Sequence, residues 1–283
     1  MRTRLVACAA LAACAACRGP RLPHVATGDP ALTVRGLVKG GPFHLGRHDL
    51  ELLPREALRG VDPKTGREAE FGGVAIAKAM ADRIELQRGA DVAVVHTGSR
   101  EAIPVPLYVF RQFRPVLADE ADGTALAKLV LAWPNVEQPG LWTDPRAMEW
   151  WAHDVVEIEV ADSEKTYGRA LRVQPGAPDA ARIGSEQFAA RCVACHRIRG
   201  VGGQRGPDLT EAAARLSPEA FARALTRHQL SPESQPDRGP SPEVLSRIQA
   251  FLRSVAASAP TEEPPEPERK EPGDHDRDRG AGG

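Results

Sequence analysis

The chain has 283 residues and a formal net charge of −1, long enough for two domains of ordinary size. Charge this evenly balanced, with no basic stripe, excludes a nucleic-acid-binding face. Aromatic residues make up only 5% of the chain, so its cores must rest on Leu, Val, Ile and Ala.

Residues 1–17 read as a lipoprotein-type signal segment. Arg2 and Arg4 precede an apolar run from Leu5 to Ala13, which is too short to stay in a bilayer as a spanning helix. Leu11-Ala12-Ala13-Cys14 resembles a bacterial lipoprotein box, in which the cysteine is lipidated. Cys17 is the alternative lipidation site, and an ordinary secretion signal is the other reading. Either way the expectation is export to the periplasm or the extracytoplasmic face of a bacterial membrane. A lipid at Cys14 would anchor the chain to the membrane surface without spanning it.

Residues 28–162 form a first globular block. Leu32 to Val38, Asp91 to His96 and Asp154 to Val160 are alternating or β-branched and predict strands. The stretch Gly73 to Ala81 is amphipathic and predicts a helix. His44, His48, His96 and His153 show no metal-ligand spacing and are expected to be surface or hydrogen-bonded histidines. Trp142, Trp150 and Trp151 mark either burial against the sheet, the preferred reading, or a partner surface.

The order of pieces in this block resembles the molybdopterin-binding domain of the sulfite oxidase family. The resemblance rests on Leu32 to Val38, Phe43 to Pro54, Phe71 to Ile76, Val94 to Pro104, Leu126 to Asn135 and Trp150 to Val160. It implies a mixed α+β domain. That family holds its molybdenum through a cysteine thiolate, and residues 28–162 contain no cysteine. Molybdopterin is therefore not expected.

Residues 163–182 mix Gly, Pro and charge and predict a linker. Residues 183–257 carry Cys192-Val193-Ala194-Cys195-His196, and a C-x-x-C-H run reads as covalent haem attachment of the c type. Two thiols add across the vinyl groups of one rigid macrocycle, and the adjacent histidine turns a ring nitrogen to the iron. A zinc half-site would need further Cys or His ligands at matching spacing. No other cysteine follows Arg18, and within residues 183–257 His228 is the one other histidine. A thioredoxin-like dithiol would sit in a βαβ unit, which this stretch does not predict.

Gly184-Ser185 offers a helix N-cap, with Phe188 one turn before Cys192. The glycines from Gly200 to Gly206 let backbone approach a flat ring closely. Ser217-Pro218-Glu219 and Ser241-Pro242-Glu243 both predict helix starts. The second start leads into Val244, Leu245, Ile248, Phe251 and Leu252 on one apolar face. About 75 residues here resemble class I cytochromes c, through Phe188 and the Cys192-to-His196 motif, Gly206-Pro207-Asp208-Leu209, and the last helix from Ser241 to Val255. The resemblance implies that the Pro207 carbonyl accepts a hydrogen bond from the His196 imidazole, which sets ring orientation and ligand basicity.

The sixth iron ligand departs from that family. Met is the family's usual ligand, yet Met1, Met80 and Met148 all lie outside this domain, and Gln235-Pro236 stands where Met-Pro would. His228 or Gln235 are the local candidates. Met148 or His153 could reach in from the first block, or the position is open. Residues 258–283 are nearly devoid of apolar side chains and predict a disordered tail, with His275 a solvated residue.

The expected fold class is therefore two domains, a mixed α+β N-terminal domain and an all-α cytochrome c domain, followed by a disordered C-terminal tail. The expected function is an exported cytochrome with one covalently bound haem c, more a carrier than a catalyst. It would transfer electrons to a redox protein partner in the cell envelope. One alternative is a haem-linked oxidoreductase whose N-terminal domain binds substrate or a pterin cofactor. The other is a haem-based ligand sensor with an open sixth site. A motif alone does not separate these.

Overall fold

The computed structural model describes residues 22–143, 150–229 and 241–257. The lipidation candidates Cys14 and Cys17, the ligand candidates Gln235 and Met148, and the tail at 258–283 with His275 all lie outside the described residues.

The first domain is two five-stranded sheets on a common core. One sheet has the order β2-β1-β10-β5-β6, from strands Phe43–Gly46, Pro30–Gly36, Val155–Ala161, Val92–Thr97 and Ala102–Pro106. In it β1 and β10 run parallel and the other pairs antiparallel. The second sheet has the order β3-β4-β7-β8-β9, from Arg55–Val61, Glu68–Ala75, Val116–Ala121, Thr124–Ala132 and Ala152–His153, all antiparallel. The three strands predicted from alternation correspond to β1, β5 and β10. The helix predicted from Gly73 to Ala81 begins later. Gly73, Val74 and Ala75 end β4, and the helix runs Ile76–Arg83. Gly73 must stay flat in the ladder because any Cβ there would lie 2.1 Å from the Leu117 carbonyl oxygen.

The strand β5 explains how the two domains join. Ala93 and Val95 point into the core shared by the two sheets. Val94 points the other way, into a second core with Tyr167, Phe188, Ile248, Phe251 and Leu252. The same alternation splits β6, with Ile103 and Val105 in the first core and Ala102 in the second. Period-two geometry thus gives one hairpin to two cores, and the helical domain covers what would otherwise be a bare sheet face.

Residues 163–182 are correspondingly more ordered than a linker. They hold a π-helical turn Glu164–Gly168 and a short helix Arg169–Leu171, with Tyr167 and Ala170 buried. Ser185 Oγ donates to the Leu171 carbonyl at 2.6 Å. The Arg199 guanidinium donates to the carbonyls of Arg169, Ala170 and Arg172 at 3.3, 3.2 and 3.0 Å. Those are the carbonyls a helix end leaves without intrahelical partners.

The second domain is helical, with helices Asp179–Arg191, Ala212–Arg215, Pro218–Gln229 and Pro242–Ala257 and a two-residue hairpin of β11 (Arg197–Ile198) and β12 (Val201–Gly202). The first helix starts at Asp179 with Pro178 as its N-cap, so Gly184-Ser185 lies inside it and does not cap it. Gly184 marks a crossing. A Cβ there would sit 1.9 Å from the Arg247 carbonyl oxygen of the last helix. The two backbones come close enough to pack Phe188 against Phe251, ring centroids 5.5 Å apart with the planes tilted by 54°. Ser217 and Ser241 accept from the amides of Ala220 and Val244 at the two predicted helix starts. Among the described residues no helix is long and apolar enough to cross a membrane.

Trp150 and Trp151 are buried, with Trp133 Nε1 donating to the Trp150 carbonyl at 2.9 Å. This agrees with burial as the preferred reading. The Trp142 side chain lies outside the described residues.

Candidate haem site

The Asp179–Arg191 helix delivers the motif. Its helical bonding runs on past Arg191: the amides of Cys192 and Val193 donate to the Phe188 carbonyl, and those of Cys195 and His196 to the Cys192 carbonyl. That turn brings both thiols and the imidazole to one end of the helix, each half-buried. Phe188, fully buried against the last helix, fixes the helix that carries them.

The loop after the hairpin folds back over this turn. Gly203 N donates to the Val193 carbonyl and Gly206 N to the Cys195 carbonyl, both at 2.8 Å, and Leu209 N donates to the Arg197 carbonyl at 2.9 Å. His196 Nδ1 lies 2.9 Å from the Pro207 carbonyl oxygen. A carbonyl only accepts, so Nδ1 carries the hydrogen and the lone pair falls on Nε2. Gly206 lies against the imidazole, where a Cβ would sit 2.3 Å from Cε1 and 2.5 Å from Nδ1. The loop can hold the ring this tightly only with glycine there. Asp208 ties the loop down, accepting from Thr210 N at 2.9 Å and Gly200 N at 3.3 Å. Burial pushes its carboxyl up, but these bonds outweigh that and hold it below the usual range.

This donor set suits haem c: two thiols on one turn, a neighbouring imidazole with its basic nitrogen fixed, and glycines at 202, 203 and 206 that let the loop close on the backbone and ring of the motif. Val201 and Leu209 are half-buried at the edge of the second core, apolar surface for a macrocycle to complete. Of the sixth-ligand candidates, His228 falls on the last turn of the Pro218–Gln229 helix, with its side chain outside the described residues. His153 Nε2 is engaged with Asp62 Oδ2 at 2.9 Å.

Two residues at this site escape sequence reasoning. Glu101, immediately before β6, reaches Cys195, its Oε1 lying 3.8 Å from Sγ. Arg205, in the glycine-rich loop, pairs with the same carboxylate at 2.5 Å. Glu101 also accepts from Thr97 and Ser99 hydroxyls at 3.1 Å each. Its burial raises the carboxyl pKa, but Arg205, Thr97 and Ser99 together pull it below the ordinary value. Backbone bonds reinforce the junction, Ala102 N to the Ala194 carbonyl and Gln204 N to the Arg100 carbonyl, both 2.8 Å. Glu101 and Cys195 are 94 positions apart, and no local pattern announces their meeting.

The first domain's histidines are hydrogen-bonded: His44 to Thr33, His48 to Glu51, His96 to Glu159 and His153 to Asp62. Among the described residues one group, His96 with Glu157 and Glu159, brings ligand-type atoms within 4.8 Å of one another. Arg35 already bridges both carboxylates at 2.8 Å each and supplies the positive charge.

Residues 181–243 match the family model for cytochrome c. A cytochrome c domain therefore occupies this part of the chain, and its cofactor is covalently bound haem c, which supports haem-based electron transfer. No curated protein matches the chain. Among solved structures, the sulfane dehydrogenase SoxCD from Paracoccus pantotrophus aligns at 16% identity and a TM-score of 0.37, over 51% of this chain and 42% of that one. The chain thus spans less than half of that protein's length.

Proposed function

We propose that the protein is an exported mono-haem electron carrier. Cys192 and Cys195 would hold the haem through thioether bonds, and His196 Nε2 would face its iron. The Pro207 carbonyl, by accepting from Nδ1, keeps the imidazole oriented and basic. The observation that carries this reading is the 2.9 Å His196–Pro207 contact on the same turn as both thiols. Bound haem supplies one-electron chemistry, the iron cycling between Fe(II) and Fe(III). The chain's part is to hold the ring rigidly, so that little rearranges when the charge changes. Gly206 closes on the imidazole, and the Phe188–Phe251 contact fixes the helix behind it.

His228 is the favoured sixth ligand and Gln235 the alternative. A histidine there would give a lower potential than the family's thioether. Lipidation at Cys14, or at Cys17, would hold the carrier on the extracytoplasmic face of a bacterial membrane. With no cysteine in residues 28–162, no molybdenum step is assigned to the first domain.

The test is mass spectrometry of the denatured chain, followed by a redox titration of the native protein. Haem that stays on the denatured chain and a reversible one-electron curve support the proposal. Haem lost on denaturation, or none bound, contradicts it.

A further inference from the structure

We propose that the Glu101–Arg205 pair is an electrostatic clamp through which the first domain sets the reduction potential of the haem. The inference rests on Cys195 carrying one thioether. In that case the sulfur 3.8 Å from the Glu101 carboxylate is the atom that joins the ring to the chain, and the carboxylate sits at the ring's edge. Glu101 comes from the strand domain and Arg205 from the haem loop, so the pair exists only when the two domains are docked.

The Glu101 side chain is 16% exposed, whereas that of Arg205 is 58% exposed. The anion is therefore the less screened of the two, and its field reaches the ring edge through protein. Hydroxyls of Thr97 and Ser99 orient it, and the Ala102–Ala194 and Gln204–Arg100 backbone bonds keep the hairpin from drifting. The carboxylate therefore stays ionised at neutral pH and in a fixed place.

An anion at the ring edge stabilises the oxidised state, which carries one more positive charge than the reduced state. A cation there does the opposite. By linkage, whatever docking does to the potential, oxidation state does to docking. The oxidised protein holds the hairpin more tightly than the reduced one wherever the net effect is that of the anion.

The experiment is a redox titration of the full-length holoprotein and three variants, with absorption spectra recorded alongside. Glu101→Gln keeps acceptors for Thr97 and Ser99 while removing the charge, and the midpoint potential should rise. Arg205→Met leaves the carboxylate unpaired, and the potential should fall. Arg205→Lys keeps the charge and should stay near the wild-type value. A merely structural pair would shift Glu101→Gln and Arg205→Met in the same direction, through loosened docking. Same-sign shifts, or none, overturn the inference while leaving the haem reading intact. A wild-type chain without covalent haem overturns both.

Discussion

The two domains solve the problem of a core in opposite ways. The strand domain closes on itself, with Trp133, Phe110, Leu117 and Leu131 all under 2% exposed between its sheets. The helical domain has a small core around Phe188, Ile248, Phe251 and Leu252, and leaves Val201, Leu209 and Val244 half-covered. A domain of this size buries a modest fraction of its surface, and a large apolar cofactor completes it. The comparison teaches where dependence lies: the first domain has a large core of its own between its sheets, while the smaller second core is completed by the β5–β6 face and leaves apolar surface for the haem.

The sharpest way to break that asymmetry is to remove the attachment. Replacing both Cys192 and Cys195 by Ser should abolish haem retained on the denatured chain. In the full-length protein, hydrogen exchange should then show lost protection in the helices Asp179–Arg191 and Pro242–Ala257, while β3, β4, β7 and β8 stay protected. Equal loss in both domains would mean that the strand domain is not self-sufficient.

Phe251→Ala comes next in size. Its ring is fully buried against Phe188, and such a truncation costs about 3–5 kcal/mol. A denaturation scan of the holoprotein should show it as early melting of the haem-linked transition.

Arg199→Met tests whether residues 163–182 belong to the helical domain. Three carbonyls lose their donor, for a cost of about 1–3 kcal/mol discounted by their partial exposure. The loss should appear in the helical transition and be absent from the strand one.

The smallest effect concerns Asp62. Burial raises its carboxyl, but the bonds from His153 and Lys64 win, and it sits below the ordinary value. A depressed carboxyl contributes stability that is complete above its unfolded pKa near 4 and is lost as pH falls through the folded value. Asp62→Asn should therefore cost about 1 kcal/mol at neutral pH and flatten the acid limb of the strand domain below about pH 4. An unchanged acid limb would refute this.

Sequence and structure agree where a side chain's role is local. The Cys192-to-His196 turn, the two Ser-Pro-Glu helix starts and the alternating strands β1, β5 and β10 depend on neighbours a few residues away. Legibility fails where a role depends on contacts distant in sequence. Gly184 looks like a cap and is a helix crossing, because the last helix, over 60 residues on, lies against it. Gly73 looks helical and is a strand residue pressed on Leu117. Residues 163–182 have a linker's composition, yet Tyr167 and Ala170 find a core that β5 and β6 share. Glu101 belongs to the same class, since its meaning comes from a thiol 94 positions later.

The central claim, a haem held for electron transfer, is met most directly by optical spectra of the purified holoprotein, oxidised and reduced, with and without carbon monoxide. The iron should be low-spin, with a reduced spectrum that carbon monoxide leaves unchanged, and His228→Ala should convert it to a form that binds the gas. A high-spin wild-type iron that takes carbon monoxide readily would contradict the carrier reading and put ligand sensing in its place.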